Sequence, residues 1–290
     1  MTLIPEDKVI ITVATTGGVA GTRERNPNVP ETPEEIAKAT HDCWKEGASI
    51  LHLHARDKDG IPTGDPVVYS EIHSRIRDLG CEIIIQDTTG TGPQVSIEDR
   101  IRCLNAVPKP EMASLDMGTM VRNSGPYEGT YSIRYGKTLE DWALKMKRAG
   151  VKPCMEVFSL SNLREVKNLI SKNLLEKPYY VEFVLGQPYH GGIDASPKHL
   201  NWFIEDLPEP QDTIWGVLST GKDQLPLTTM GIVLGGSIRV GFEDNLFYRK
   251  GELAKSNAQL VARSVRIAKE LGKVPLTADE TRELLGIEKI

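Results

Sequence analysis

The chain has 290 residues, 39% of them hydrophobic and 26% charged, with a formal net charge of −5 and a pI of about 5.8. That balance is ordinary for a soluble globular protein and gives no electrostatic basis for binding nucleic acid. Its apolar runs fall short of a membrane span, and Glu6 and Asp7 stand where a secretory leader needs basic residues, so a cytoplasmic protein is expected.

Residues 9–13, rich in Ile and Val, read as a first strand. Thr32 then opens a helix: it is a good N-cap, Pro33 suits the first helical position, Glu35 completes a capping box, and Gly47 marks the stop. Residues 49–54 form the second strand, and a helix through VVYSEIHSRIRDLG ends at Gly80. EIIIQDT is the third strand, and Ser96 with Asp99 opens the next helix. MASLDMG is a short fourth strand, and Thr138 with Asp141 starts a helix that ends near Gly150. PCMEVFS and YYVEFVLG are strands five and six, followed by helices through LREVKNLISKNLL and near SPKHLNWFIEDL. TIWGVLS is the seventh strand, with its helix in LPLTTMGIVLGG, and SIRVGFED is the eighth. The last large helix covers residues 253–271, with Val261, Val265, Ala268 and Leu271 on one stripe. Thr277 with Glu280 caps a short C-terminal helix.

Eight strands, each followed by a helix, without a linker or low-complexity tract, predict an α/β chain folded as a (β/α)8 TIM barrel. Residues 1–290 are then a single catalytic domain with a short C-terminal helical extension. A doubly wound open sheet is the alternative. However, TTGGVAG after the first strand lacks the full glycine spacing of a dinucleotide turn, and no helix follows it at once. Cys43, Cys81, Cys103 and Cys154 are too scattered for a zinc knuckle or a disulfide framework and read as buried thiols in a reducing compartment.

The chain spends two of its six histidines in ILHLHAR, residues 50–56. Side chains alternate along a strand, so His52 and His54 point the same way, about 6.5–7 Å apart, while Leu51 and Leu53 face the helices. The histidines lie at the carboxyl end of strand two, where barrel active sites are built. H-x-H alone fits either a metal site or a pair of hydrogen-bonded core histidines. Strand eight bears on the choice, because Arg239, Gly241 and Glu243 share a face there and a closed barrel brings that strand near strands one and two. Two histidines and a carboxylate form a catalytic zinc pattern with a position open for substrate. The other reading of Glu243 and Asp244 is a solvated loop. Further polar groups gather at strand ends: Asp87, Thr88 and Thr89, then Ser114 and Asp116, Glu156, and Glu182. Buried carboxylates are costly unless paired or beside a metal, so their convergence on the barrel mouth predicts a site.

In PNVPETPEE, HLHAR, IIIQDTTG, PEMASLDMGT, FVLGQP, GFEDN and SNAQLVAR, the chain resembles the β-keto acid cleavage enzymes almost end to end. The resemblance implies a zinc-containing (β/α)8 barrel, usually a homotetramer, with zinc on His52, His54 and Glu243. It makes Asp244 the general base, partnered by Arg239. Thr88 matches a family serine, Ser114 a family threonine and Glu156 a family glutamate, all lining the reacting centre. The implied reaction joins a β-keto acid to acetyl-CoA and, by retro-Claisen cleavage, gives acetoacetate and a new acyl-CoA. Lys222, in the basic loop STGKDQ, is the candidate CoA contact. A family glutamate that would pair with a cationic amine is expected near Val19 and is missing, which predicts a neutral or anionic β-keto acid as substrate.

Three rival readings remain. A zinc hydrolase of amidohydrolase type would want inward histidines on later strands, where Glu156 and Glu182 stand instead. A metal-dependent aldolase or lyase would need no acetyl-CoA. A barrel that only binds a ligand would hold metal without turnover.

Overall fold

In the computed structural model, which describes residues 3–125 and 127–290, eight parallel strands close into a barrel. We label them β1 (Ile11–Ala14), β2 (Ile50–Leu53), β3 (Ile84–Asp87), β4 (Met112–Asp116), β5 (Lys152–Val157), β6 (Tyr179–Leu185), β7 (Thr213–Ser219) and β8 (Ser237–Val240). A single helical turn, Thr22–Arg25, follows TTGGVAG at once, contrary to expectation, and the other helices after the strands are α1 (Pro33–Glu46), α2 (Pro66–Asp78), α3 (Ile97–Arg100), α4 (Gly136–Ala149), α5 (Leu163–Ser171), α6 (Pro197–Glu205), α7 (Gln224–Val233) and α8 (Asn257–Glu270), with α9 (Ala278–Leu285) last. The chain is a (β/α)8 TIM barrel. No helix among the described residues is long and apolar enough to cross a membrane.

Strand alternation divides the chain into two cores. Outward residues such as Leu51, Leu53, Ile85, Leu115, Val181 and Val217 pack against the helices. Inward residues stack in layers. Ile10, Ile50, Ile84, Met112, Cys154, Tyr180 and Ile214 fill the bottom, sealed from below by Ile4, Leu276 and Leu285 of α9. One step higher on the same strands the layer turns polar: Thr12, His52, Gln86, Ser114, Glu156, Glu182 and Arg239 are all buried. Above that, Met120, Phe158, Val184 and Leu218 form an apolar wall on one side of the mouth.

Several sequence expectations shift. Lys8–Val9 leaves the barrel to pair with Val274–Pro275, so β1 starts only at Ile11. Thr138 does not cap α4, which begins at Gly136 after Tyr135 with no side-chain cap. Ser96 does accept from the Asp99 N–H, but α3 lasts four residues before tightening into a 3-10 turn at Ile101–Asn105. The final large helix starts at Asn257, capped by Ser256, because Glu252–Leu253 pairs with Phe247–Arg249 as a hairpin. Its buried stripe is Leu260, Val261, Ser264 and Ala268, whereas Leu271 lies past the helix end and is exposed. The capping boxes at Thr32–Glu35 and Thr277–Glu280 form as expected. All four cysteines are free and buried.

Candidate active site

His52 ends the inward row of β2, and its Nδ1 lies 3.0 Å from Oε1 of Gln86 on β3. The amide oxygen can only accept, so Nδ1 carries the proton and the Nε2 lone pair is free. That Nε2 sits 3.5 Å from Oε2 of Glu243, and His54 Nε2 sits 3.2 Å from Oε1 of the same carboxylate. One ligand-type atom from each of the three residues lies within 4.8 Å of the others. Burial, reinforced by Arg239, pushes the His52 pKa down to about 3, leaving a neutral imidazole. Burial raises the Glu243 carboxyl, but Arg239, His54 and His52 outweigh it and hold the group well below the usual carboxylate range. Glu243 Oε2 and His54 Nδ1 are buried without a hydrogen-bond partner among the described residues.

Strand eight stops at Val240, sooner than expected, and Glu243 and Asp244 sit in the turn beyond it. Gly241 makes the turn possible. Its φ is +141°, and a Cβ there would lie 2.2 Å from the carbonyl oxygen of Ala14. Asn257, at the first turn of α8, clamps the turn by accepting from the Phe242 N–H at 2.8 Å and donating to the Thr15 carbonyl at 3.0 Å. The glycines of TTGGVAG serve close approach. A Cβ on Gly17 would lie 2.7 Å from Glu243 Cγ, and one on Gly18 would lie 3.2 Å from His54 Cε1. Arg56, buried just past the histidines, holds this loop through the carbonyls of Gly17 at 2.8 Å and Val19 at 2.9 Å.

Arg239 organises the carboxylates. Its Nε and Nη2 donate to the two oxygens of Asp244, each at 3.0 Å, in a bidentate pair. Nη2 is also 2.9 Å from Glu243, and Nη1 lies 3.4 Å from Glu156 and 3.5 Å from Glu182. One guanidinium therefore faces four carboxylates, of which Asp244, Glu156 and Glu182 are buried and Glu243 is partly exposed. Burial drives Asp244 up to about 7 against the pull of Arg239. Burial and the neighbouring Asp116 push Glu156 well above its ordinary range.

The two hydroxyls differ in their commitments. Ser114 Oγ accepts from the Thr89 N–H at 3.0 Å and points at Asp116, which is itself ion-paired to Arg134. Thr88 Oγ1 accepts from the Gly90 N–H at 2.9 Å, and no acceptor among the described residues takes its proton. Lys222 stands exposed on the turn after β7. It lines a cleft of about 540 Å³ whose walls include Glu243, Asp244, Arg122 and Tyr189.

Asp87 does not belong to this site. It is an odd position on β3 and points outward, 2.9 Å from Nε2 of His73 on α2, whose Nδ1 reaches the Pro108 carbonyl at 2.7 Å. Both side chains are fully buried. His73→Ala should therefore destabilise the barrel by about 3–5 kcal/mol, because Asp87 loses its counter-charge. Urea denaturation reads that loss, and turnover per folded molecule should stay unchanged.

A closed barrel with a dense imidazole and carboxylate centre at the carboxyl ends of its strands has the plan of a (β/α)8-barrel enzyme. The beta-keto acid cleavage enzyme family model matches residues 8–287, and the chain belongs to that family. It is 38% identical over 283 residues to the 3-keto-5-aminohexanoate cleavage enzyme of Acetoanaerobium sticklandii, covering 98% of this chain and 100% of that one. Another relative, the 3-oxoadipate:acetyl-CoA acetyltransferase of Cupriavidus necator, is 31% identical over 96% of this chain and 94% of its own. A solved structure of ObcA in ternary complex with a C4-CoA adduct and oxalate shares the fold, with a TM-score of 0.74 at 20% identity over 90% of this chain and 68% of that one.

Proposed function

We propose that the chain is a zinc-dependent β-keto acid cleavage enzyme that uses acetyl-CoA as co-substrate. The observation that carries the reading is the convergence of His52, His54 and Glu243 beside the bidentate Arg239–Asp244 pair. The donor set suits zinc: two imidazoles and a carboxylate leave coordination positions open. The orphaned Glu243 oxygen and the excess of carboxylates around Arg239 both call for a cation there. Gln86 would act behind the metal by fixing the His52 tautomer. A bound zinc supplies Lewis acidity for the keto oxygen.

The remaining work falls to the chain's own groups. Asp244 takes a proton from carbon 2 of the keto acid, and Arg239 fixes the orientation of that carboxylate. The carbanion attacks the acetyl thioester, with Thr88 as the better placed hydroxyl donor because its proton is uncommitted. CoA then takes the original acyl group, and carbon–carbon cleavage releases acetoacetate. Glu156, pushed toward its neutral form, lines the reacting centre. Lys222 meets the CoA phosphates at the rim of the cleft. An acetyl-CoA co-substrate fits a cytoplasmic enzyme, and the family resemblance adds a homotetramer, which light scattering tests.

A panel of β-keto acids with acetyl-CoA tests the function. Acetoacetate and a new acyl-CoA should appear in equal amounts. Cleavage at the same rate without acetyl-CoA would instead favour the aldolase or lyase reading.

Gly17→Ala gives a finer test. Its methyl would press on Glu243 Cγ, so zinc affinity should fall by about 10- to 100-fold, the range for a disturbed outer shell. A chelator competition reads it, and unchanged affinity would mean that Glu243 does not hold the metal.

A further inference from the structure

We propose that Arg122 recognises a second carboxylate on the substrate, so that the preferred keto acid is a β-keto diacid. This rests on the keto acid cleavage reading above. Thr119–Arg122, Tyr131–Ile133 and Tyr189–His190 form a small antiparallel sheet near the barrel mouth. Met120 from this sheet belongs to the apolar wall with Phe158, Val184 and Leu218, and Tyr189 packs on it. Alternation puts Arg122 on the same face as Met120, and Arg122 pairs directly with Tyr189 across the ladder.

The guanidinium lies against aromatic faces, and no acid among the described residues forms an ion pair with it. It lies 5.6 Å from the Tyr189 ring centroid and 6.0 Å from that of Tyr127. Its one hydrogen bond among the described residues is a 3.4 Å contact from Nη1 to Thr130 Oγ1. Most of its five N–H groups are therefore free for a bidentate carboxylate. Cation–π contact leaves the positive charge intact and fixes its position.

The cleft gives that charge a direction. Arg122 lines the same cavity as Glu243 and Asp244, so an anion on Arg122 shares one space with the reacting centre. Tyr127 also ties this end to the loop after β1, its hydroxyl accepting from the Ala20 N–H at 3.5 Å. Val19 lines the cleft there, and the acids of its lining are Asp223, Glu243 and Asp244. Arg25 and Lys222 also line the cleft, and both are exposed. They suit the mobile phosphates of CoA, whereas Arg122 is half-buried against the apolar wall along which an acyl chain would lie.

Calorimetry on the zinc-loaded protein without acetyl-CoA tests this directly. 3-Oxoadipate is compared with 3-oxohexanoate, which has the same carbon count and one carboxylate fewer. The diacid should bind at least about tenfold tighter. Arg122→Met should abolish that preference, Arg122→Lys should retain part of it, and circular dichroism checks that both variants fold. With acetyl-CoA present, the KM for acetyl-CoA should stay within about twofold of wild type in Arg122→Met. Equal binding of the two acids, or a preference that survives Arg122→Met, overturns the proposal. So does a large rise in the acetyl-CoA KM with the diacid preference intact, which assigns the guanidinium to a CoA phosphate. If no keto acid yields acetoacetate, the cleavage reading fails, while the binding comparison still decides whether Arg122 selects a diacid.

Discussion

Asp244→Asn should lower turnover by about 10²- to 10⁴-fold, the usual worth of a general base, while zinc stays bound. The substitution keeps the shape of the side chain and removes its ability to take a proton. An amide also cannot accept the two charge-assisted bonds that Arg239 directs at Asp244, at 3.0 Å each. The loss should fall on kcat with little change in acetyl-CoA binding. Glu243 keeps its own contact with Arg239, so the metal ligands are not released. Steady-state kinetics with parallel metal analysis decides the matter. Near-normal turnover would move the base to another carboxylate, with Glu156 next in line.

The second large effect is expected from removing the histidines. His52→Ala combined with His54→Ala should yield a folded barrel that holds no zinc and makes no acetoacetate. Structural stability rests mainly on the outer apolar core and on the bottom layer of Ile50, Ile84, Met112 and Tyr180, neither of which includes the histidines. Metal analysis of the purified double variant, with circular dichroism as a folding control, gives the answer. Full zinc occupancy would show that the metal lies elsewhere.

The barrel was legible because its strands alternate between helix-facing and inward residues and several of its helices, α1, α2, α6, α8 and α9, carry explicit caps. The same alternation would have assigned β3 correctly. With Ile84 inward, parity brings Gln86 and Thr88 to the mouth and turns Asp87 outward to His73. A carboxylate at a strand end attracted notice by its charge, whereas the glutamine that orients His52 carries none. Asn257 and Arg56 were harder to assign. Each acts on backbone carbonyls and amides of loops distant in sequence, and nothing local marks such partners. The paired glycines at residues 17 and 18 lack the spacing of a phosphate turn, and the sequence offered no other reason for them. Their constraint is instead the approach of Glu243 and His54 from other strands, which only the closed barrel reveals.

The centre straddles the seam where the barrel closes. His52 and His54 lie on one side of β1, and Arg239 and Glu243 come from the other, where Arg239 pairs with Thr12 and Ile238 with Ile11. His54 and Glu243 are 189 residues apart in the chain. Closing a contact of such separation costs loop-closure entropy before it returns any stability. During synthesis the histidines thus emerge long before their carboxylate partner, and the complete ligand set exists only once the last strand docks against the first. With zinc bound as proposed, metal capture would act as a latch. Its binding free energy favours the closed ring over any species with β8 detached. A nascent chain that stops before β8 carries both imidazoles but lacks Glu243.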